Sequence, residues 1–221
     1  MSRLTPIFNL YPTLNKNNIT HTKMSNIPIY YINLDRRPQR KEALEGLAKE
    51  QNIKIERFPG YDGMKDAEPR NKNLKRGHFG CWMSHLGVWD TIAKSGKLGI
   101  VLEDDIVFDN NFMDKLNAIL SDSSYMTYDI LLLGHNWCTN KDPITKRICS
   151  IGLYYGCQGY IITPKCAKYL CDKYNKVEEI LQPLDVELGE INVSGDIKVL
   201  AAKDRIVILG DFSKGSDTNR K

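Results

Sequence analysis

The sequence predicts an α/β fold, a mainly parallel central sheet flanked by helices, and three observations carry that prediction. Short apolar runs of strand length alternate with amphipathic stretches of helix length from residue 27 to residue 209. Most of the runs are apolar throughout, the pattern of strands covered on both faces. One of them, Gly99-Ile100-Val101-Leu102, stops at three consecutive carboxylates, Glu103-Asp104-Asp105. In open α/β sheets ligands gather beyond the carboxyl ends of strands, so these acids stand where a site is expected.

Each element follows from local chemistry. Residues 1–26 are polar and broken by Pro6 and Pro12, which predicts a flexible arm ahead of a single domain over 27–212 and a tail over 213–221. Ile29-Tyr30-Tyr31-Ile32-Asn33-Leu34 has the β-branched and aromatic content of a buried strand. Pro38 suits a first helical turn, and Ala43, Leu44, Leu47 and Ala48 share one face of a helix over 38–50. Ile53 to Phe58 alternates like a strand, which completes a β-α-β opening. Tyr61-Asp62-Gly63 signals a turn, and 64–76 reads as a charged loop. Trp82, His85, Leu86, Trp89 and Ile92 recur at helical steps over 79–95, closed by Gly96. After the acidic strand end come a helix near 111–121 and a buried strand over 128–134. Residues 147–155 and 158–163 read as a strand pair, 164–174 as a helix begun by Pro164, and 197–201 and 205–209 as late strands.

Composition narrows the function. With 42% hydrophobic and 26% charged residues among 221, the chain can bury a full core. A net charge of +4, from 31 basic and 27 acidic residues dispersed along the chain, does not point to nucleic acid. No window nears the roughly 18 apolar residues of a membrane span, so no integral membrane segment is expected. The absence of an apolar leader predicts a soluble, cytoplasmic protein. The six cysteines form no C-x-x-C pair and read as reduced, partly buried thiols. The sequons at Asn18 and Asn192 would matter only in a secretory compartment.

The acids themselves point to a metal-assisted enzyme. Adjacent carboxylates repel one another, and such a cluster is tolerated when a divalent cation or hydrogen-bond donors neutralise it. A metal-dependent phosphoesterase would also cluster carboxylates, but it needs further ligands, and the histidines number four, at 21, 78, 85 and 135. A glycoside hydrolase would need two separated acids and no metal.

Six ordered segments carry a resemblance. Tyr31 through Arg37, Phe58 through Gly63, Gly80-Cys81-Trp82-Met83-Ser84-His85, Val101 through Asp105, Gly159 through Thr163 and Pro183-Leu184-Asp185 occur in the order and spacing of family 25 glycosyltransferases. That family includes bacterial lipooligosaccharide galactosyltransferases and collagen hydroxylysine galactosyltransferase domains. The resemblance spans about residues 27–218 and implies a GT-A-like (Rossmann-like) fold, a UDP-sugar donor, and transfer with inversion of a hexose, galactose or glucose, to a hydroxyl acceptor on a glycan or protein. A non-catalytic relative that binds sugar or nucleotide is the alternative.

Within that resemblance the segments take roles. Glu103 and Asp105 have the spacing of the D-x-D pattern, and on an extended backbone alternate residues face one side, so both are candidate ligands of Mn²⁺ or Mg²⁺. Asp104 would face the ribose or a backbone amide. Asn33, Asp35, Arg36 and Arg37 end the first strand, where a chain can cover base and ribose and an arginine can grip phosphate; helix capping and surface charge are the plainer reading. Asp62 and Gly63 form a turn that a ligand can approach closely. Gly80, Ser84 and His85 sit near a helix start that favours an anion, although His85 among tryptophans also reads as a core residue or as the orienter of an acid. Lys75 and Arg76 could close over phosphate. Asp185, read as part of a Pro-ordered loop over 181–185, is the candidate base, with Glu187 and Asp129 as rivals. Gln158, Gly159 and Tyr160 are assigned to the acceptor side, where an aromatic face would stack on a sugar. Ser213 and Ser216-Asp217-Thr218 resemble the family's C-terminal step.

Overall fold

The computed structural model describes residues 27–65 and 73–211. The arm over 1–26, the tail and the Ser213 and Ser216–Thr218 candidates lie outside these residues.

The chain opens with β1 (Ile29–Asn33), α1 (Pro38–Glu50) and β2 (Glu56–Pro59), and β1 and β2 pair in parallel as the β-α-β reading expects. There follow α2 (Arg76–Ser95), β3 (Gly99–Glu103), β4 (Ile106–Phe108), α3 (Phe112–Ser123), β5 (Ile130–Gly134), β6 (Trp137–Cys138) and β7 (Asp142–Pro143). The rest is β8 (Ile148–Ser150), β9 (Tyr154–Tyr155), β10 (Gly159–Ile162), α4 (Pro164–Tyr174), α5 (Leu184–Ser194), β11 (Val199–Ala202) and β12 (Val207–Leu209). Eight strands form one sheet in the order β2-β1-β3-β10-β5-β11-β8-β7, while β4–β12 and β6–β9 are two-stranded ribbons. Six strands of the large sheet run one way, and β8 and β10 run the other.

Two cores cover the two faces of the sheet, and the period-2 alternation of side chains decides which residue enters which. Tyr30, Val101, Ile130, Leu132, Tyr160 and Ile162 meet Phe79, Trp82 and Trp89 of α2, together with α4 and α5. Tyr31, Ile100, Leu102, Leu131, Leu133 and Ile161 meet Leu44 and Ala48 of α1 and Phe112, Leu116 and Ile119 of α3. The strands are apolar on both faces because both faces are buried.

Helix ends follow their signals. Gly96 ends α2 in the left-handed region at φ 66°, and Thr163 caps α4 by accepting from the Cys166 amide at 3.1 Å, with Pro164 behind it. No helix among the described residues is long and apolar enough to cross a membrane. All six cysteines are free thiols, four of them buried.

Three expectations are corrected. Residues 147–155 and 158–163 are not a strand pair: β10 lies antiparallel between β3 and β5, and β8 pairs with β11 and β7. The strand expected from Ile53 begins at Glu56, Ile53 itself packing into the core after α1. Asp185 sits in the first turn of a helix, α5, rather than in a loop. That helix buries Leu184, Leu188 and Ile191 at helical spacing, and Gly189 lets it approach the Leu153–Tyr154 backbone.

Candidate active site

Parallel β1 and β3 end side by side, and the turn that follows β2 packs against the first turns of α2. Beside them lies a cleft of about 110 Å³ that opens to solvent. Arg36, Asp62, Gly63, Gly80, Ser84, His85 and the three acids all line it, drawn from segments as far apart as β1 and the end of β3. A second hollow adjoins, with Asp35 beside Arg36 and Asp62.

The acids separate into distinct environments. The strand stops at Glu103, and Asp104–Asp105 form a turn into β4, so the extended alternation expected for Glu103 and Asp105 does not continue. Asp104 is buried and spoken for: Oδ2 accepts from Asn33 Nδ2 at 2.7 Å, and Oδ1 from Arg40 Nη1 at 2.8 Å. Asp105 Oδ2 lies 3.4 Å from the same guanidinium, while its buried Oδ1 has no hydrogen-bond partner among the described residues. Burial, with the neighbouring Asp104 and Asp185 charges, raises the Glu103 carboxyl to about 7, against the opposing pull of Arg40. Burial and the Glu103 charge raise Asp105 to about 7. Two carboxyls short of positive charge, one with an orphaned oxygen, suit a hard, oxygen-ligated cation.

His85 is held by a chain of hydrogen bonds. Its Nδ1 lies 2.6 Å from the Tyr160 hydroxyl, which accepts from the Trp89 indole at 2.8 Å. Burial drives the imidazole pKa down to about 3, so the ring is neutral at physiological pH. With Trp89 as donor, Tyr160 gives its proton to Nδ1, which leaves Nε2–H facing Glu103 Oε1 at 3.8 Å.

Several candidates, some lining the cleft and some behind it, are held by partners within the fold. Asn33 is buried, accepts from Arg57 Nε at 2.9 Å and donates to Asp104 and to the Arg37 carbonyl. Asp35 is exposed and paired with Arg57. Arg36 grips Asp62 with Nε at 2.7 Å and Nη2 at 3.3 Å, and although burial opposes it, this pairing holds the Asp62 carboxyl below its usual range. Ser84 Oγ donates to the Gly80 carbonyl and accepts from the Tyr61 amide at 2.8 Å, which fastens the turn to α2. Lys75 and Arg76 stand exposed at the start of α2.

Gly63 and Gly80 explain themselves by contact. A Cβ on Gly63 would sit 2.0 Å from the Arg76 carbonyl, and one on Gly80 would sit 2.8 Å from the Gly63 amide. We expect Gly63→Ala to cost about 1–3 kcal/mol, as overpacking against backbone does. Urea denaturation measures it, and an unchanged midpoint would show that the turn moves freely.

Asp185 does not line the cleft but stands beside it. Its Oδ2 accepts from the Gly156 amide at 2.8 Å and its Oδ1 from Val186 N at 3.0 Å. Its charge is felt at Glu103, His85 and Cys157. The residues expected on the acceptor side are buried. Tyr160 is 1% exposed and spends its hydroxyl on His85, so its ring offers no face to a sugar. A Cβ on Gly159 would meet Val207 of β12 at 2.7 Å, and Gln158 is buried, its carbonyl accepting from the Glu103 amide at 3.0 Å. These residues support Glu103 and His85 from behind.

Three residues of the site escaped the sequence reading. Arg40 and Arg57 are cations of a helix and an edge strand, and their carboxylate and amide partners lie 64 and 65 positions from Arg40 and 22 and 24 from Arg57. Cys81 was more accessible to inference: with His85 it has i, i+4 spacing on one helix, and its sulfur, a His85 nitrogen and a Glu103 oxygen lie within 4.8 Å of one another.

The family described as Glycosyltransferase family 25 (LPS biosynthesis protein) matches residues 26–151, more than half of the chain. A glycosyltransferase 25 family member of Drosophila melanogaster is 28% identical over 204 residues, 80% of this chain and 33% of that protein. One from Aedes aegypti is 29% identical over 186 residues, 74% of this chain and 30% of that protein. Procollagen galactosyltransferase 2 of Homo sapiens is 25% identical over 224 residues, 84% of this chain and 35% of that protein. The chain thus spans about a third of the length of these curated relatives.

Proposed function

The chain belongs to glycosyltransferase family 25, and from that premise we propose that it moves a hexose, galactose or glucose, from a UDP-sugar to a hydroxyl of a glycan or protein, on a GT-A-like scaffold and with inversion. The observation that carries the reading is the cleft at the ends of β1 and β3, with Glu103 and Asp105 short of positive charge and Asp105 Oδ1 unpartnered. Glu103 and Asp105 would hold Mn²⁺ or Mg²⁺. When bound, such a cation offsets the negative charge that develops on the departing diphosphate.

The chain's own residues do the rest. Arg40 and Asn33 fix Asp104 and with it the turn that presents Asp105. Neutral His85 faces Glu103 with Nε2 3.8 Å from Oε1, close enough to bias that carboxylate's position without bonding it. Arg36 and Asp62, in their mutual grip, frame the ribose side of the cleft. Asp185 takes the acceptor hydroxyl proton onto a carboxylate oxygen as the acceptor oxygen attacks the anomeric carbon from the face opposite the leaving group.

For the acceptor we assign Trp137 and Tyr155, whose rings stack at 5.3 Å between centroids and are about half exposed. Tyr155 is followed directly by Gly156, the partner of Asp185, so the pair borders the proposed base. Loss of one aromatic face is worth about tenfold in acceptor KM. Trp137→Ala should therefore raise acceptor KM about tenfold while leaving acceptor-independent UDP-sugar hydrolysis unchanged; an equal fall in both activities would remove Trp137 from the acceptor side.

The deciding experiment incubates the protein with a panel of UDP-sugars and Mn²⁺ and measures UDP release, with EDTA and Asp105→Asn as controls. Release from UDP-galactose or UDP-glucose that both controls suppress at least a hundredfold is expected, in line with removal of a metal-dependent interaction. Full turnover in either control sinks the metal assignment, and binding without release identifies the non-catalytic relative.

A further inference from the structure

Cys81 and His85 stand one helical turn apart on the face of α2 that lines the cleft, and Glu103 reaches the same point from the end of β3. One ligand atom from each lies within 4.8 Å of the other two, and His85 Nε2 is 3.8 Å from Glu103 Oε1. Tetrahedral zinc, with bonds of about 2.0–2.3 Å, sets its ligands about 3.3–3.6 Å apart. The three side chains therefore need to close by no more than about 1.5 Å, within the reach of ordinary rotamer adjustment.

The donor set is selective. A thiolate, an imidazole and one carboxylate favour zinc over magnesium or manganese, which prefer oxygen throughout. Three protein ligands leave a fourth position facing the cleft, the arrangement of open zinc sites. Binding needs only a change of tautomer: with the metal on Nε2 the ring proton sits on Nδ1 and is donated to a Tyr160 lone pair, while Tyr160 still accepts from Trp89.

We propose that Cys81, His85 and Glu103 form a zinc site distinct from the oxygen-ligated donor site, and that the two share Glu103, so that zinc displaces the donor's Mn²⁺. On binding, the Cys81 thiol loses its proton to solvent and its sulfur bonds the cation. The zinc site stands on the geometry alone, whereas the displacement rests on the function proposed above.

Cobalt(II) is the probe for the first part. The wild-type protein should show a thiolate-to-cobalt charge-transfer band and tetrahedral ligand-field bands, both removed by zinc. Cys81→Ser should lose the charge-transfer band and weaken zinc at least tenfold in competition with a chromophoric chelator. Glu103→Gln, a second variant in case the first does not fold, should weaken zinc similarly while keeping the thiolate band. No band in the wild type, a band that survives Cys81→Ser, or zinc affinity within twofold of wild type in both variants overturns the site. For the second part, free Mn²⁺ is followed by electron paramagnetic resonance with UDP present. Zinc should release bound Mn²⁺ from the wild type and release it poorly from Cys81→Ser. Mn²⁺ that stays bound beside zinc overturns the sharing of Glu103 and leaves the zinc site standing. Mn²⁺ that never binds in the presence of UDP counts against the donor site itself.

Discussion

Asp185→Asn is expected to lower kcat by about two to four orders of magnitude, the range that a positioned general base supplies, with UDP-sugar binding unchanged. The carboxylate lies in the first turn of α5, held by the Gly156 and Val186 amides. Asparagine keeps one oxygen for Gly156, so the geometry survives, and removing a charge from a helix start costs only about 0.3–1 kcal/mol. The rivals are placed differently. Glu187 is bound by the Tyr174 hydroxyl and by Gln182 Nε2 at 2.6 Å, which leaves it little freedom to take a proton. Asp129 precedes β5, at the end of the sheet away from the cleft, and accepts from Lys198 N at 2.9 Å. Glu187→Gln and Asp129→Asn should therefore stay within about tenfold of wild type. Full kcat in Asp185→Asn, with collapse in Glu187→Gln, would transfer the role.

What the sequence revealed and what it hid divide along a physical line. Runs such as Ile100-Val101-Leu102 and the Trp82, His85, Trp89 spacing carry their periodicity locally, and the structure realises both as β3 and α2. The β-α-β opening is local too, since strand, helix and strand are consecutive and a helical crossover brings the second strand alongside the first in parallel. By contrast, β10 enters the sheet in reverse between β3 and β5, a choice of partner that no local period encodes. Helix α5 was missed because Leu184, Val186 and Leu188 alternate like a strand before Ile191 restores the helical face. At the site, the Glu103-Asp104-Asp105 run announced a cleft but not the division of labour within it. That division depends on Arg40 and Asn33, 64 and 71 positions from Asp104, which select it as the neutralised member and leave Asp105 in want of charge. Tyr160 shows the same limit in the other direction: an aromatic beside a glycine reads as a sugar platform, yet its ring is buried and its hydroxyl is needed on His85, while Trp137 and Tyr155 form a stacked, half-exposed pair.

Arg40→Met should cost about 3–5 kcal/mol of stability at pH 8, the penalty for removing one partner of a buried ion pair. Arg40 is itself buried, with Nη1 2.8 Å from Asp104 and 3.4 Å from Asp105, and methionine replaces its stem but not its charge. The cost depends on pH, and its sign follows from the acids. Asp105 and Glu103 have folded pKa values of about 7, above their ordinary values of 3.8 and 4.5, so even the wild-type protein loses stability as pH rises from about 4 to 7, while the unfolded chain ionises and the folded one resists. Arg40 lowers both folded values, so its removal raises them further and widens the interval over which stability falls. Near pH 5 the Glu103 and Asp105 carboxyls are largely protonated in the folded wild type and the folded variant alike, and the deficit of Arg40→Met should shrink accordingly. Urea denaturation in EDTA at pH 5 and pH 8 measures the difference, and a deficit equal at the two values would mean that packing of the guanidinium stem, not its charge, is what the fold uses. Adding Asp104→Asn to Arg40→Met removes an uncompensated charge and should recover part of the loss, since residues in direct contact couple by about 0.5–3 kcal/mol. Saturating Mn²⁺ should recover stability in Arg40→Met at pH 8 only while Asp105 is present, because the cation then supplies the positive charge that the arginine no longer does.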